Sequence, residues 1–154
     1  MVERTAREVF ARREREERVA SARLAAAALT IDAVYASGSG VSTSYYFDAS
    51  KRVEDTSRDA DPDIDPAGVL RLQVVGWLRA SAGGMTPVGS NASVEWEQLD
   101  RVAATPGVDA VPIGTLSQGD AIVWVMKRDT NAAPTFTLYE TRAGSVRPLV
   151  RAQC

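Results

Sequence analysis

The sequence predicts an α+β fold: a long N-terminal α-helix, then a compact domain with an antiparallel β-sheet and one or two short helices. Two observations support this prediction. Residues 2–37 contain neither Gly nor Pro and space their apolar side chains as a helix does, whereas short β-like segments separated by turn residues dominate after residue 110. A chain of 154 residues can also bury a proper core. We therefore expect a helix over residues 1–37 and a compact domain over residues 41–154.

Nine positions in the N-terminal segment recur alternately four and three residues apart, which is the spacing of a coiled-coil seam. These positions are Ala6, Phe10, Arg13, Glu17, Ala20, Leu24, Ala27, Ile31 and Val34. A helix of this length would extend for about 50 Å at ~1.5 Å per residue, which is too long for the rest of the chain to cover. We predict that this stripe is an interface, in which Arg13 and Glu17 fix the register by meeting opposite charges.

The last turns of the predicted helix allow a second interpretation. Residues 24–29 are mostly alanine, the best helix former, and the glycines at 38 and 40 end the segment. Residues 30–35, however, include Thr, Ile, Val and Tyr, which are enriched in strands. A strand that opens here is therefore the alternative for residues 30–35.

The segment after the helix is polar. Residues 41–48 are rich in Ser, Thr and Tyr and are interpreted as a strand or an extended loop. Residues 48–66 carry seven acidic and three basic side chains together with Pro62 and Pro66, so we predict a long acidic surface loop.

Alternate aspartates within this acidic loop raise the question of a calcium site. The side chains at 59, 61, 63 and 65 are all Asp, and oxygen ligands at such spacing suit hard cations. The EF-hand pattern fails, because Ile64 stands at the sixth position in place of Gly and Leu70 at the twelfth in place of Glu. We expect a solvated loop over residues 59–65 with no more than weak calcium binding.

Residues 69–80 fit either a helix or a strand. Asp65 as cap, Pro66 at the first turn and the Gly83-Gly84 pair as stop favour a helix. As a strand the segment would place its leucines and Val74 on one face. The capping residues lead us to prefer the helix, with the strand as the alternative.

The remaining chain reads as one short helix followed by strands. Residues 93–104 are predicted to form an amphipathic helix that begins at Ser93. Three strands are then predicted, at 121–127, 135–141 and 145–150, and their short connections indicate an antiparallel meander. A tight turn in which Gly119 supplies the special backbone angles leads into the first of them.

Composition excludes several kinds of site. Histidine is absent and the single cysteine is Cys154, so the Ser-His and Cys-His nucleophile designs and a thiolate metal cage within one chain are all excluded. The glycines near residue 40 lack a third glycine and a Walker lysine, so no phosphate loop is indicated. We predict no catalytic residue, no cofactor and no metal centre. The three tryptophans lie among apolar neighbours and are expected in the core or at a subunit interface.

Charge and hydropathy bear on partners and location. The net charge is −2, and glutamates interleave with the arginines near the N-terminus, so we do not expect nucleic acid as a partner. No apolar run reaches the ~20 residues that span a bilayer. The apolar stretch at 24–36 follows five glutamates and contains Asp32, which argues against a signal peptide. We expect no membrane partner and a cytoplasmic or particle-associated location.

These observations lead to a functional hypothesis. The stripe predicts a non-catalytic structural or assembly protein that forms homo-oligomers or docks on another protein subunit through its N-terminal helix. A component of a larger particle such as a phage virion is one form of this hypothesis. The alternative is a small ligand-binding domain or enzyme that uses carboxylate and tyrosine chemistry.

Overall fold

The computed structural model describes residues 1–17, 22–55, 68–98, 110–128 and 133–153. They form two four-stranded antiparallel sheets, in each of which the strands lie in chain order. Two helices come first, α1 (Val2–Glu16) and α2 (Ala22–Ala26). Sheet A contains β1 (Thr30–Ser37), β2 (Ser44–Asp55), β3 (Gly68–Ser81) and β4 (Gly84–Gln98), with a 3-10 turn at Gly40–Ser42. Sheet B contains β5 (Val111–Gln118), β6 (Ala121–Arg128), β7 (Thr135–Arg142) and β8 (Ser145–Gln153).

The layers follow the order helix, sheet A, sheet B. One core cluster joins α1 and Leu24 to the side of sheet A that carries Phe47 and Leu72. The second cluster joins the opposite side of sheet A to sheet B through Tyr46, Trp77 and Trp124. The α+β prediction with an antiparallel sheet is thus confirmed in outline, but the described chain is mostly β and has two sheets.

The predicted helix over residues 1–37 is not one continuous helix: residues 22–26 form the separate helix α2, residues 18–21 lie outside the described residues, and the prediction is wrong for residues 30–37. Helix α1 ends at Glu16, and residues 30–37 form β1, paired antiparallel with β2. The β-branched and aromatic residues from Thr30 to Tyr35 gain a strand partner in β2, and this outweighs helix propensity, which is a weak local preference. The strand alternative for residues 30–35 is the one that the structure adopts.

Two further helix predictions are also wrong. Residues 69–80 lie in β3, at the centre of sheet A between β2 and β4. Their alternation places Leu72, Val74 and Leu78 against the helix layer, as the strand alternative predicts. Residues 93–98 belong to β4, and the rest of the helix predicted over 93–104 lies outside the described residues.

The acidic loop predicted over residues 48–66 is described only in its first part. Residues 48–55 belong to β2, so this part of the loop predicted over 48–66 is wrong. The remainder of that loop, including residues 59–65, lies outside the described residues. The strand interpretation of 41–48 is confirmed from Ser44 onward, where β2 begins.

Sheet B contains the predicted meander. The three strands predicted at 121–127, 135–141 and 145–150 correspond to β6, β7 and β8, which pair antiparallel in that order. Gly119 has φ 61° in the β5–β6 turn, a conformation that glycine adopts without the steric cost of a side chain. Residues 111–118 add a fourth strand, β5, that the sequence analysis did not predict.

Polar groups and one glycine hold the two sheets together. Arg79 is 7% exposed and donates hydrogen bonds to the backbone carbonyls of Thr141 and Asp120 in sheet B. The hydroxyls of Ser44 and Thr141 lie 3.1 Å apart across the same junction. Gly89 of β4 contacts Val146 of β8 so closely that a Cβ at this position would overlap the valine side chain. The sheets are therefore in close contact where β4 crosses β8.

Candidate functional site

The first half of the predicted interface stripe is buried within the chain itself. Ala6 and Phe10 are 0% and 1% exposed and pack on sheet A, and so does Leu24 of α2. The Nε group of Arg13 donates a hydrogen bond to Ser90 of β4 at 2.9 Å, so this charge meets a neighbour in its own chain. The prediction that these residues lie in a seam with another helix is therefore corrected: sheet A covers Ala6, Phe10 and Leu24, and Arg13 bonds to β4 of its own chain.

The second half of the stripe is dispersed. Glu17 caps the C-terminus of α1 and is exposed, and Ala27 is half-buried after α2. Ile31 and Val34 lie on β1, so a helical face cannot contain them. Ala20 lies outside the described residues. The structure thus brings no continuous helical surface together from these positions.

A different apolar surface is open in this molecule. We define the outer face of sheet B as the side that points away from sheet A. The strand register places large apolar side chains from all four strands on this side: Val111, Leu116, Val123, Val125, Phe136, Leu138 and Val150. Both described helices pack on the far side of sheet A, so neither reaches this face.

The exposure of these side chains shows how open the face is. Leu116 and Val150 are 65% and 56% exposed on the two edge strands. Val123, at the centre, is 7% exposed yet belongs to neither core cluster, because its neighbours on the outer face shield it. Val125 and Leu138 are half-buried. Monomeric soluble proteins seldom expose a contiguous apolar patch of this kind without a function for it.

One end of the outer face carries charge that is neutralised locally. Glu140 follows Leu138 on the same side of β7 and is 5% exposed. Its carboxylate accepts hydrogen bonds from the Nε groups of Arg142 and Arg147, both at 2.9 Å. These hydrogen bonds lower the pKa of Glu140 from its ordinary value of 4.5 to about 2. Arg142 also lies 3.5 Å from Asp120, so the cluster has two cations and two anions.

The sequence contains a signal for this face in the apolar run of β6. Residues 121–126 are apolar without interruption, whereas a strand with one solvated side alternates. In the structure Ile122, Trp124 and Met126 face sheet A, and Val123 and Val125 face outward. A continuous apolar run of this length is typical of a strand that is covered on both sides.

The tryptophan prediction is partly tested. Trp77 and Trp124 are 4% and 1% exposed and form part of the core between the sheets, as expected. The side chain of Trp96 lies outside the described residues.

Within the described ranges no group of three acidic, His or Cys side chains is placed to hold a metal ion. None of the helices in the part of the chain that the structure describes is long and apolar enough to cross a bilayer. No protein family, characterised protein or solved structure shows detectable similarity to the chain.

Proposed function

We propose that this chain is a non-catalytic assembly protein that pairs with a second copy of itself through the outer face of sheet B. The observation that carries the proposal is the apolar row on this face, in which Leu116 and Val150 are more than half exposed. The proposal retains the assembly role predicted from the sequence, but the proposed contact surface is on sheet B and not on the N-terminal helix.

The size of the face suits a dimer. Four strands of about eight residues, at ~4.8 Å between strands and ~3.4 Å per residue, give a footprint of about 500 Å². Two such faces in contact would bury about 1,000 Å² in total, which is the lower limit for a specific protein–protein interface. We therefore expect a reversible dimer whose population depends on protein concentration.

The charge pattern favours a second copy over a charged partner. Glu140 is paired with arginines of its own chain, and Asp120 also pairs with Arg142, so the charged cluster on the outer face is matched within the chain and needs no oppositely charged protein. Apolar sheet faces pack on one another about 10 Å apart with their strands nearly aligned, as in β-sandwiches. Two copies related by a two-fold axis satisfy both conditions, because each offers the same apolar row.

Sedimentation equilibrium of the full chain tests this proposal. We expect the unaltered protein to dimerise and the Leu116→Lys variant to be monomeric, because a lysine buried in an apolar interface loses hydration without a partner. Val41→Lys is the matched control: Val41 is also 65% exposed but lies outside sheet B, so this variant should dimerise normally.

Either of two results would contradict the proposal. The unaltered protein could be monomeric at every concentration, or Leu116→Lys could dimerise as well as Val41→Lys does. A larger assembly such as a virion would need further contacts, and this part of the hypothesis stays a prediction that particle images of the purified protein can test.

A further inference from the structure

A cleft opens on the opposite side of sheet B from the proposed dimer face. It has a volume of about 330 Å³ and is lined by inward-facing side chains of β6, β7 and β8 together with Ala110. Tyr46 donates a hydrogen bond to the carbonyl of Ala110 at 3.1 Å, which places the cleft beside the aromatic cluster that joins the two sheets. The volume is within the range of small-molecule sites.

Two arginines line this cleft. Arg128 ends β6 and Arg151 lies on β8, and neither forms an ion pair with a described residue. This distinguishes them from Arg142 and Arg147, which share the carboxylate of Glu140. Among the described residues that line the cleft none is acidic, so the described lining carries a positive charge although the chain as a whole carries −2. A positively charged lining is suited to an anion.

The rest of the lining combines hydroxyl and apolar groups. Thr135 and Thr137 project from β7 on the same side as the cleft, and Thr135 is 6% exposed. Met126, which is 1% exposed, and Tyr139 supply apolar surface. The Tyr139 ring packs on Trp77 with 5.0 Å between ring centroids, so this part of the lining is anchored in the core.

We propose that this cleft binds a small phosphomonoester with an apolar or aromatic body. Arg128 and Arg151 together match the two negative charges of a phosphate dianion, whereas a carboxylate would neutralise only one of them. The threonine hydroxyls can donate to the remaining phosphate oxygens. Met126 and Tyr139 then contact the apolar body of the ligand. This inference is independent of the dimer proposal, because the cleft and the outer face lie on opposite sides of sheet B.

Isothermal titration calorimetry of the full chain with phenyl phosphate tests the inference, with benzoate and inorganic phosphate as comparison ligands. We expect phenyl phosphate to bind at least tenfold more tightly than either, because only this ligand has both the dianion and the aromatic body. Equal affinity for benzoate would overturn the dianion assignment, and equal affinity for inorganic phosphate would overturn the role of the apolar lining. Absence of phenyl phosphate binding would overturn the proposal as a whole.

Charge-removing variants locate the site. Arg128→Gln and Arg151→Gln should each weaken phenyl phosphate binding by about tenfold or more, since a charge-assisted contact to phosphate is lost. Arg7→Gln removes the same charge from the exposed side of α1 and should leave binding unchanged. Circular dichroism melts establish that the exposed arginine variants are folded. An equal loss in Arg7→Gln would show a non-specific charge effect and overturn the proposal.

Discussion

Glu140 illustrates how neighbours on a sheet determine the chemistry of one residue. Alternation along β7 places its side chain on the outer face beside apolar groups, where an unpaired carboxylate would be costly. Arg142, two residues later, and Arg147, directly across on β8, both reach it. The charge is therefore retained on an apolar face because it is satisfied within one chain.

This arrangement predicts how stability depends on pH. The lowered pKa of Glu140 means that its ionised form stabilises the folded state above about pH 4.5, and that this contribution is lost as the pH falls toward 2. The Glu140→Gln variant lacks the titrating group, so the gap in melting temperature between it and the unaltered protein should narrow over this interval. Thermal melts at several pH values measure the gap.

Glu3→Gln is the control for this experiment. Glu3 is an exposed carboxylate in the first turn of α1 and forms no ion pair with any described residue. Its variant should follow the unaltered protein at each pH. A gap for Glu140→Gln that stays constant from pH 4.5 to pH 2 would show that the two arginines do not stabilise this carboxylate.

At the scale of elements, the crossing of β4 and β8 depends on the absence of a side chain. Gly89 lets Val146 pack directly on the β4 backbone. Gly89→Ala should lower the free energy of unfolding by about 1–3 kcal/mol, because the added methyl group forces the two sheets apart or Val146 out of its rotamer. Chemical denaturation measures this loss.

A double-mutant cycle with Val146→Ala identifies the cause. The smaller residue makes room for the new methyl group, so the double variant should be less destabilised than the sum of the two single variants, by about 0.5–3 kcal/mol. Gly83→Ala is the matched control, since a Cβ there meets nothing within 4 Å. Strictly additive losses in the cycle would place the strain elsewhere.

Local patterns predicted only some of the elements. The strands β6 to β8 can be predicted because short β-like segments are separated there by tight turns. Before β3, by contrast, Asp65 and Pro66 are residues typical of a helix start. The local sequence contains no information about the two strands that flank Val74 and Leu78 in the fold. Pairing with neighbouring strands determined that β3 is a strand, as it did for β1.

The candidate site was harder to predict than the elements. The spacing of Ala6 and Phe10 correctly indicated a buried helix side, but spacing alone cannot distinguish a helix partner from a sheet of the same chain. The outer face of sheet B depends on register across four strands, and Leu116 and Val150 are 34 residues apart in the chain. Such a surface becomes visible only once the pairing of the strands is known.

For the whole molecule, the dimer proposal links stability to concentration. If folded chains pair through the outer face, dimer formation stabilises the folded state. Because more dimer forms at higher protein concentration, the melting temperature should rise with concentration. Differential scanning calorimetry over a hundredfold range of concentration measures this effect. The Leu116→Lys variant should melt at one temperature throughout, and a concentration-independent melting temperature for the unaltered protein would contradict the proposal.

The chain order of the two sheets has a consequence for biosynthesis. All strands of sheet A lie between residues 30 and 98, and all strands of sheet B follow them. A ribosome therefore releases the complete first layer, with α1 on one side, while the second layer is still being translated. Until β6 and β7 emerge, Tyr46 and Trp77 face water on the nascent polypeptide, and this interval is when we expect chaperones to engage the chain.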